Sequence, residues 1–234
     1  MKRATLKQLI ADRAAKRAVV LATLMKSGEQ ALYHPDEDAP LRLGGADLTA
    51  EARQALAADK SRPVNSPRGE VFLGVFNPPL RLHVIGAVHI TQPLVDMAAI
   101  AGFAVTVIDP RRAFATPERF PDIILDHDWP DEALTRLGID ARTAIVTLTH
   151  DPKIDDPALH VALRAPAFYI GALGSRRTHA GRVERLTEAG YTPEEIGRIH
   201  APIGLAIGAK SPAEIAVAIL AQIIEALRKP GERG

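Results

Sequence analysis

Residues Ala167 to Thr178, AFYIGALGSRRT, carry an apolar strand into two glycines, a serine and two arginines, after which a helix begins. A turn of this kind can cradle a phosphate. Gly171 and Gly174 lack Cβ atoms, so the backbone can bend tightly and turn its N–H groups toward an anion, while the following helix offers unpaired N–H donors at the positive end of its dipole. Ser175 sits in the turn, and Arg176 and Arg177 add charge-assisted contacts that can be bidentate. The same residues also suit a tight strand-to-helix turn with two solvated arginines, so the rest of the chain has to discriminate.

Other strand ends carry polar groups too. Gly86-Ala87-Val88-His89 has the opening glycine of a dinucleotide fingerprint, but Val88 stands where a second glycine would let the backbone approach a pyrophosphate. Asp109 follows about 20 residues later, where an acidic group can hold a ribose hydroxyl or, before Pro110, simply start a turn. Thr147-Leu148-Thr149-His150-Asp151-Pro152 ends a further apolar run, and His150 beside Asp151 suits a proton-transfer or hydrogen-bonding pair or a structural loop. Near the C-terminus, Gly204 and Gly208 lie in a second glycine-containing turn before a helix, readable as a buried strand closing the sheet or as the other wall of an anion site. The eight histidines show no HExxH spacing, so a protein-ligated metal is not expected. His83 belongs to a strand, and His127 precedes the next helix.

These turns need elements to position them. From Leu80 onward, apolar runs at Leu82 to Ile85, Ala104 to Ile108, Ile123 to Leu125, Ala144 to Leu148 and Ala167 to Ala172 alternate with helical patterns. The helices fall at Gln92 to Ala101, Asp131 to Leu137, Pro157 to Arg164, Arg176 to Ala189 and Ser211 to Leu227. Such alternation predicts an α/β fold with a doubly wound parallel sheet covered on both faces. Ligands then bind outside the carboxyl ends of the strands. Ser211, Pro212 and Glu214 predict a capping box for the last helix.

Residues 1–78 read differently, as a small α+β domain. A helix precedes a strand from Val19 to Met25, a turn at Ser27-Gly28, a returning strand from Gln30 to Tyr33 and a helix from Thr49 to Ala58. KSRPVNSPRG at residues 60–69 reads as an exposed connection to a strand at Val71 to Phe76. Asn77-Pro78-Pro79 cannot continue a central strand, which puts the boundary to a second domain, 79–234, there.

Twenty-nine basic against 28 acidic residues give a net charge of +1, so no long-range field recruits nucleic acid or an anionic membrane. Cysteine is absent, which removes disulfides, thiolate metal sites and any persulfide carried by these residues. The apolar run Ala18 to Met25 ends at Lys26 and is too short to span a bilayer. The spacing of Leu6, Leu9 and Ile10 suits an amphipathic helix rather than a leader, and a cytoplasmic protein is expected.

GALGSRRT, the helix with RVERL, and RIHAPIGLAIGAKSPAEIAVAIL together resemble the carboxyl-terminal signature of the XdhC/CoxI family, and THDP at 149–152 and VTVIDPR at 105–111 are similar to further family segments. The resemblance covers roughly residues 80–230 and implies a Rossmann-like domain. It also implies an accessory protein of molybdenum hydroxylases, such as xanthine dehydrogenase or carbon monoxide dehydrogenase, rather than an enzyme. Such a protein transiently binds molybdenum cofactor, as molybdopterin or molybdopterin cytosine dinucleotide. It protects the cofactor while a cysteine desulfurase-type sulfurtransferase acts and helps insert it into the apoenzyme. Carried onto this chain, the resemblance implies that Gly86, His89, Asp109, Arg111, Thr149, His150, Asp151, Gly171, Gly174, Ser175, Arg176, Arg177, Gly204 and Gly208 contact the cofactor. Val88 replaces the middle glycine of the family's GAGH turn, and Gly44-Gly45-Ala46-Asp47 stands where members carry a GGCVE-like motif. These departures point to action as a homodimer or beside a second family member. The doubly wound pattern, Gly86 and Asp109 leave an NAD(P)-dependent oxidoreductase as the competing expectation.

Overall fold

A computed structural model describes residues 2–229. The chain forms two compact units, Met1–Pro78 and Pro79–Gly234.

The first unit runs α1 (Arg3–Ala14), β1 (Val19–Leu24), β2 (Gln30–Tyr33), the short strands β3 (Arg42–Leu43) and β4 (Ala46–Asp47), α2 (Thr49–Ala57), β5 (Arg62–Ser66) and β6 (Gly69–Phe76). Four of these strands make an antiparallel sheet in the order β2-β1-β6-β5. Val20, Ala22 and Leu24 of β1 and Val71 and Leu73 of β6 bury one face with Ala52 and Ala55 of α2. The expected connection over residues 60–69 is corrected: Arg62–Ser66 is a strand, paired with Glu70–Leu73 and Gly69 of β6. β5 lies at the sheet edge, where Pro63 forfeits no ladder bond that a central strand would need. Only Val64 of β5 packs on the apolar cluster, which is why the stretch lacks the composition of a strand.

The second unit alternates strand and helix: β7 (Leu80–Ile85), α3 (Thr91–Ile100), β8 (Phe103–Ile108), β9 (Ile124–Asp126), α4 (Pro130–Leu137), β10 (Thr143–Thr147), α5 (Pro152–Leu163), β11 (Tyr169–Ala172), α6 (Arg176–Glu188), α7 (Pro193–Ile196), β12 (Ile199–His200) and α8 (Pro212–Arg228). Six strands form one parallel sheet in the order β12-β11-β10-β7-β8-β9. The topology is doubly wound. Alternate residues of each strand face opposite layers. Leu82, Val84, Ala144 and Val146 pack with Leu94, Val95 and Ala98 of α3 and Ile219 and Ile223 of α8, whereas Ile85, Ile145 and Ile170 pack with Leu134, Ile154, Leu159 and Leu186 of α4, α5 and α6.

Helix starts are set by local chemistry. Ser211 and Glu214 form the expected capping box of α8, and Thr192 and Glu195 form another at α7. α5 starts five residues before the expected Pro157, because Asp151 caps it by accepting the Lys153 N–H and Pro152 takes the first helical position. Pro157 is carried inside the helix.

The expected bend at Gly171 is also corrected. This glycine lies within β11, opposite Val146 and His200, and a Cβ there would come within 2.5 Å of Ile203 Cδ1 and 2.7 Å of a Tyr169 ring carbon. Its missing side chain makes room for Ile203 and the Tyr169 ring, not for a ligand. We expect Gly171→Ala to destabilise the protein by about 1–3 kcal/mol through overpacking, read as a lower urea midpoint with unchanged slope.

Candidate functional site

In a parallel sheet each strand ends at the edge where the following helix begins, so the amino ends of α5 and α6 stand side by side beyond β10 and β11. A cavity of about 280 Å³ opens between them, lined by His150, Pro152, Asp155 and Asp156 on one side and Arg177, Thr178, Gly181, Arg182 and Arg185 on the other. Its α6 wall follows the helical repeat. Arg177, Gly181 and Arg185 are four residues apart, as are Thr178 and Arg182, so both rows face α5.

The two strand-to-helix turns are built differently. On the α6 side, Gly174 has φ +142°, a conformation that favours glycine, and a Cβ there would press on Thr178 at 3.0 Å. Ser175 caps α6, its hydroxyl accepting the Thr178 N–H. On the α5 side, His150 holds φ +62° while its N–H donates to Asp155 Oδ2 at 3.1 Å. Asp155 Oδ1 accepts the Thr149 hydroxyl at 2.7 Å. Asp155 is 2% exposed, and burial pushes its carboxyl above the usual range against the pull of the Thr149 hydroxyl and the Arg182 charge.

Two of the three arginines on the α6 wall are in contrasting states. Arg185 is saturated: its Nε and Nη2 grip both oxygens of Asp156 at 2.6 and 3.1 Å, and Nη1 donates to the Gly181 carbonyl. Arg182 is 2% exposed, and only its Nη2 has a partner, the Leu173 carbonyl at 3.0 Å. Its Nε and Nη1 are buried with no hydrogen-bond partner. Burial lowers the Arg182 pKa, opposed by the nearby carboxylates of Asp155 and Asp156.

The remaining expected site residues fall into separate places. Gly86, with φ +106°, closes the turn after β7, but a Cβ would lie 2.5 Å from the Thr149 methyl, so Thr149 packs against the very glycine expected to admit a ligand. His89 is exposed beyond that turn. Asp109 is fully buried, and its four hydrogen bonds are internal: Oδ1 accepts from Arg111 N and Nε, and Oδ2 from Ala87 N and Arg111 Nη2, all at 2.8–2.9 Å. Burial raises the Asp109 carboxyl, yet the bonds from Arg111 and Ala87 outweigh it and hold the group below the usual carboxylate range. The expected ribose-binding role is therefore corrected, because Arg111 occupies the acceptors. Asp151 is a helix cap and makes no ion pair with His150 among the described residues, which corrects the expected proton-transfer pair. Gly204, at φ +94°, abuts Ala218 and Ile219 of α8, and its N–H donates to Gln222 Oε1 at 2.8 Å. Neither Gly204 nor Gly208 lines the cavity, which corrects their expected place as its second wall. Of the expected residues His150 and Arg177 line it, while Arg176 is exposed on the first turn of α6. Sequence reading missed Asp155, Asp156, Arg182 and Arg185; for the two arginines the signal was the four-residue spacing from Thr178 and, through Gly181, from Arg177.

Comparison with known proteins matches residues 82–223 to the model of the XdhC Rossmann domain. Over 157 residues, 66% of this chain and 29% of the relative, the sequence is 34% identical to the uncharacterized Escherichia coli protein YqeB. It is 33% identical over 68% of its length to a Bacillus subtilis protein named as a probable xanthine dehydrogenase component, covering 46% of that protein. It is 32% identical over 63% of its length to the Escherichia coli molybdenum cofactor insertion chaperone PaoD, covering 40% of it. The chain thus spans less than half the length of each of these relatives. A crystal structure of a xanthine dehydrogenase from Bacillus halodurans superposes with a TM-score of 0.69 at 28% identity, over 98% of this chain and 66% of that one.

The Asp109–Arg111 fork has a pH signature. A carboxyl with a depressed folded-state pKa contributes stability above the ordinary carboxylate range and loses it as pH falls through that range to the folded value. Asp109→Asn should cost about 1.5–3 kcal/mol at neutral pH and flatten the loss of stability between about pH 5 and 2, measured by urea unfolding at stepped pH. An acid limb as steep as that of the unaltered protein would remove the assignment.

Proposed function

The chain belongs to the family of the XdhC Rossmann domain, and from that premise we propose that it binds molybdenum cofactor as cargo, shields it while a partner sulfurtransferase acts, and passes it to a molybdenum hydroxylase of the xanthine dehydrogenase kind. The family match over residues 82–223 carries this reading, and the role of PaoD as an insertion chaperone supports it. We read the protein as an accessory factor rather than a catalyst.

The cargo is a phosphorylated pterin or its cytosine dinucleotide, so it needs donors for a phosphate or pyrophosphate. The residues fit that need. Gly174 brings the backbone round to the first turn of α6, where the N–H groups of Arg176 and Arg177 precede the first intrahelical bond, and both side chains add positive charge. Ser175, already capping the helix, fixes the direction of that turn. His150, in its left-handed conformation on the opposite wall of the cavity, is the residue we assign to the pterin. Because these residues include no thiol, the sulfur must arrive on the partner. The client apoenzyme, together with either a second copy of the chain or a second family member that supplies the amino-terminal glycine motif this sequence lacks, completes the proposed set of partners in the cytoplasm. Among the described residues no helix is long and apolar enough to cross a membrane.

One observation favours a nicotinamide oxidoreductase instead: the order β12-β11-β10-β7-β8-β9 is that of dinucleotide-binding sheets. Two others oppose it, the saturated Asp109 and the Thr149 methyl against Gly86 at the switch point between β7 and β10. Mass spectrometry of ligand released from protein made in a cofactor-producing host should detect a molybdopterin species. Saturable NAD(H) binding with hydride turnover and no pterin would replace this function with the oxidoreductase. Replacing Arg176 and Arg177 together by Ala should weaken cofactor binding about tenfold or more, since a charge-assisted hydrogen bond contributes about 1.5–3 kcal/mol.

A further inference from the structure

We propose that the cavity between α5 and α6 is the seat of the cargo's terminal phosphate and that buried Arg182, rather than the arginines on the rim, is its principal anchor. This rests on the cofactor-binding reading and places the phosphate within it.

Burying Arg182 is costly. A guanidinium that is 2% exposed loses most of its hydration, and each buried donor left unmade adds to that penalty. Arg182 has two such donors, Nε and Nη1, on a side chain that lines the cavity. The nearby carboxylates of Asp155 and Asp156 favour its charge but accept none of its open donors. Asp155 turns its oxygens to the Thr149 hydroxyl and the Thr149 and His150 N–H groups, and Asp156 is gripped by Arg185. Among the described residues neither forms an ion pair with Arg182 within 4 Å. An oxyanion entering the cavity would supply the missing acceptors once the guanidinium turns toward it, since Nε and Nη1 are covered as the side chain stands.

Charge favours a phosphate over a carboxylate. With Arg185 and Asp156 cancelling, the free charges of the lining are the cations Arg177 and Arg182 against Asp155, and the open N–H groups at the start of α6 add partial positive charge. A doubly charged tetrahedral anion can meet Arg182 from one side and Arg177 from another, whereas a planar carboxylate satisfies one fork. Thr178, whose hydroxyl shares a 3.0 Å hydrogen bond with Ser175 Oγ, is a further hydroxyl on the wall. The geometry also separates this seat from the ordinary dinucleotide position. The cavity lies at the ends of β10 and β11, one strand away from the β7–β10 switch point that Thr149 and Gly86 close.

The test uses the full chain and two probes, inorganic phosphate and methyl phosphate, titrated at constant ionic strength against chloride, with the ligand-induced rise in Tm as the readout. Each variant is compared with its own ligand-free Tm, so a destabilised variant remains informative. The unaltered protein should show a saturable rise with both probes. Arg182→Lys, which keeps the charge but loses the fork, should bind about tenfold more weakly, and Arg182→Met should lose saturable binding. Arg228→Gln, an exposed arginine on the last turn of α8, should match the unaltered protein. No phosphate-specific rise, or an Arg182→Lys variant with unchanged affinity, would overturn the seat. Inorganic phosphate binding with methyl phosphate excluded would also overturn it, because the cargo's phosphate is esterified. Intact phosphate binding in a protein that never carries a pterin would sink the cofactor-chaperone function and leave the seat standing.

Discussion

A parallel sheet cannot turn back on itself, and that constraint organises everything in the second unit. Every strand must deliver the chain to the same edge, so the start of each crossover helix gathers there with its unpaired N–H groups. The edge is electropositive before any side chain is counted. β10 and β11 are neighbours, and their helices α5 and α6 therefore begin side by side with a slot between them. The residues of the slot matter only because the sheet brings two helix starts together.

Within the slot the charges are placed at different depths. Exposed Arg177 can hold its charge in water at little cost, whereas Arg182 and Asp155 are each 2% exposed and hold theirs against desolvation. Asp155 recovers part of that cost by organising the turn after β10, accepting from both Thr149 and His150. Arg182 recovers less, through one carbonyl. Such unevenness is characteristic of binding sites, where a ligand completes what the protein leaves unfinished. Elsewhere in the same unit the chain shows that it can satisfy a buried charge in full: Asp109 fills its oxygens with Arg111 and the Ala87 N–H, and it is held ionised rather than pushed toward neutrality.

Much of this was legible in the residues. Alternating apolar runs and helical patterns identified the doubly wound sheet, because a strand covered on both faces must be continuously apolar, and Ser211 with Glu214 announced α8 through chemistry that acts within four residues. β5 was hidden because an edge strand with one half-buried apolar side chain, Val64, needs neither apolar content nor freedom from proline. Gly171 was misread for a related reason: a glycine in a strand and a glycine in a turn look alike until the neighbours that fill its empty side are known. Arg182 could be seen as one arginine among many in α6. Its burial depends on the distance to α5 and on the Leu173 carbonyl, neither of which is local in sequence. The periodic spacing could place it on a face, but only packing could show that its donors are left open.

The fork between Arg185 and Asp156 is a strut across the slot. It ties the second turn of α5 to the third turn of α6 with two parallel bonds, while the third guanidinium nitrogen is locked to its own helix at Gly181. An anion at the slot would meet in Asp156 a carboxylate already engaged, and so one competitor fewer for Arg182. For the cargo proposed above, retention would then turn on the grip at the floor of the slot, with the strut at its rim left in place.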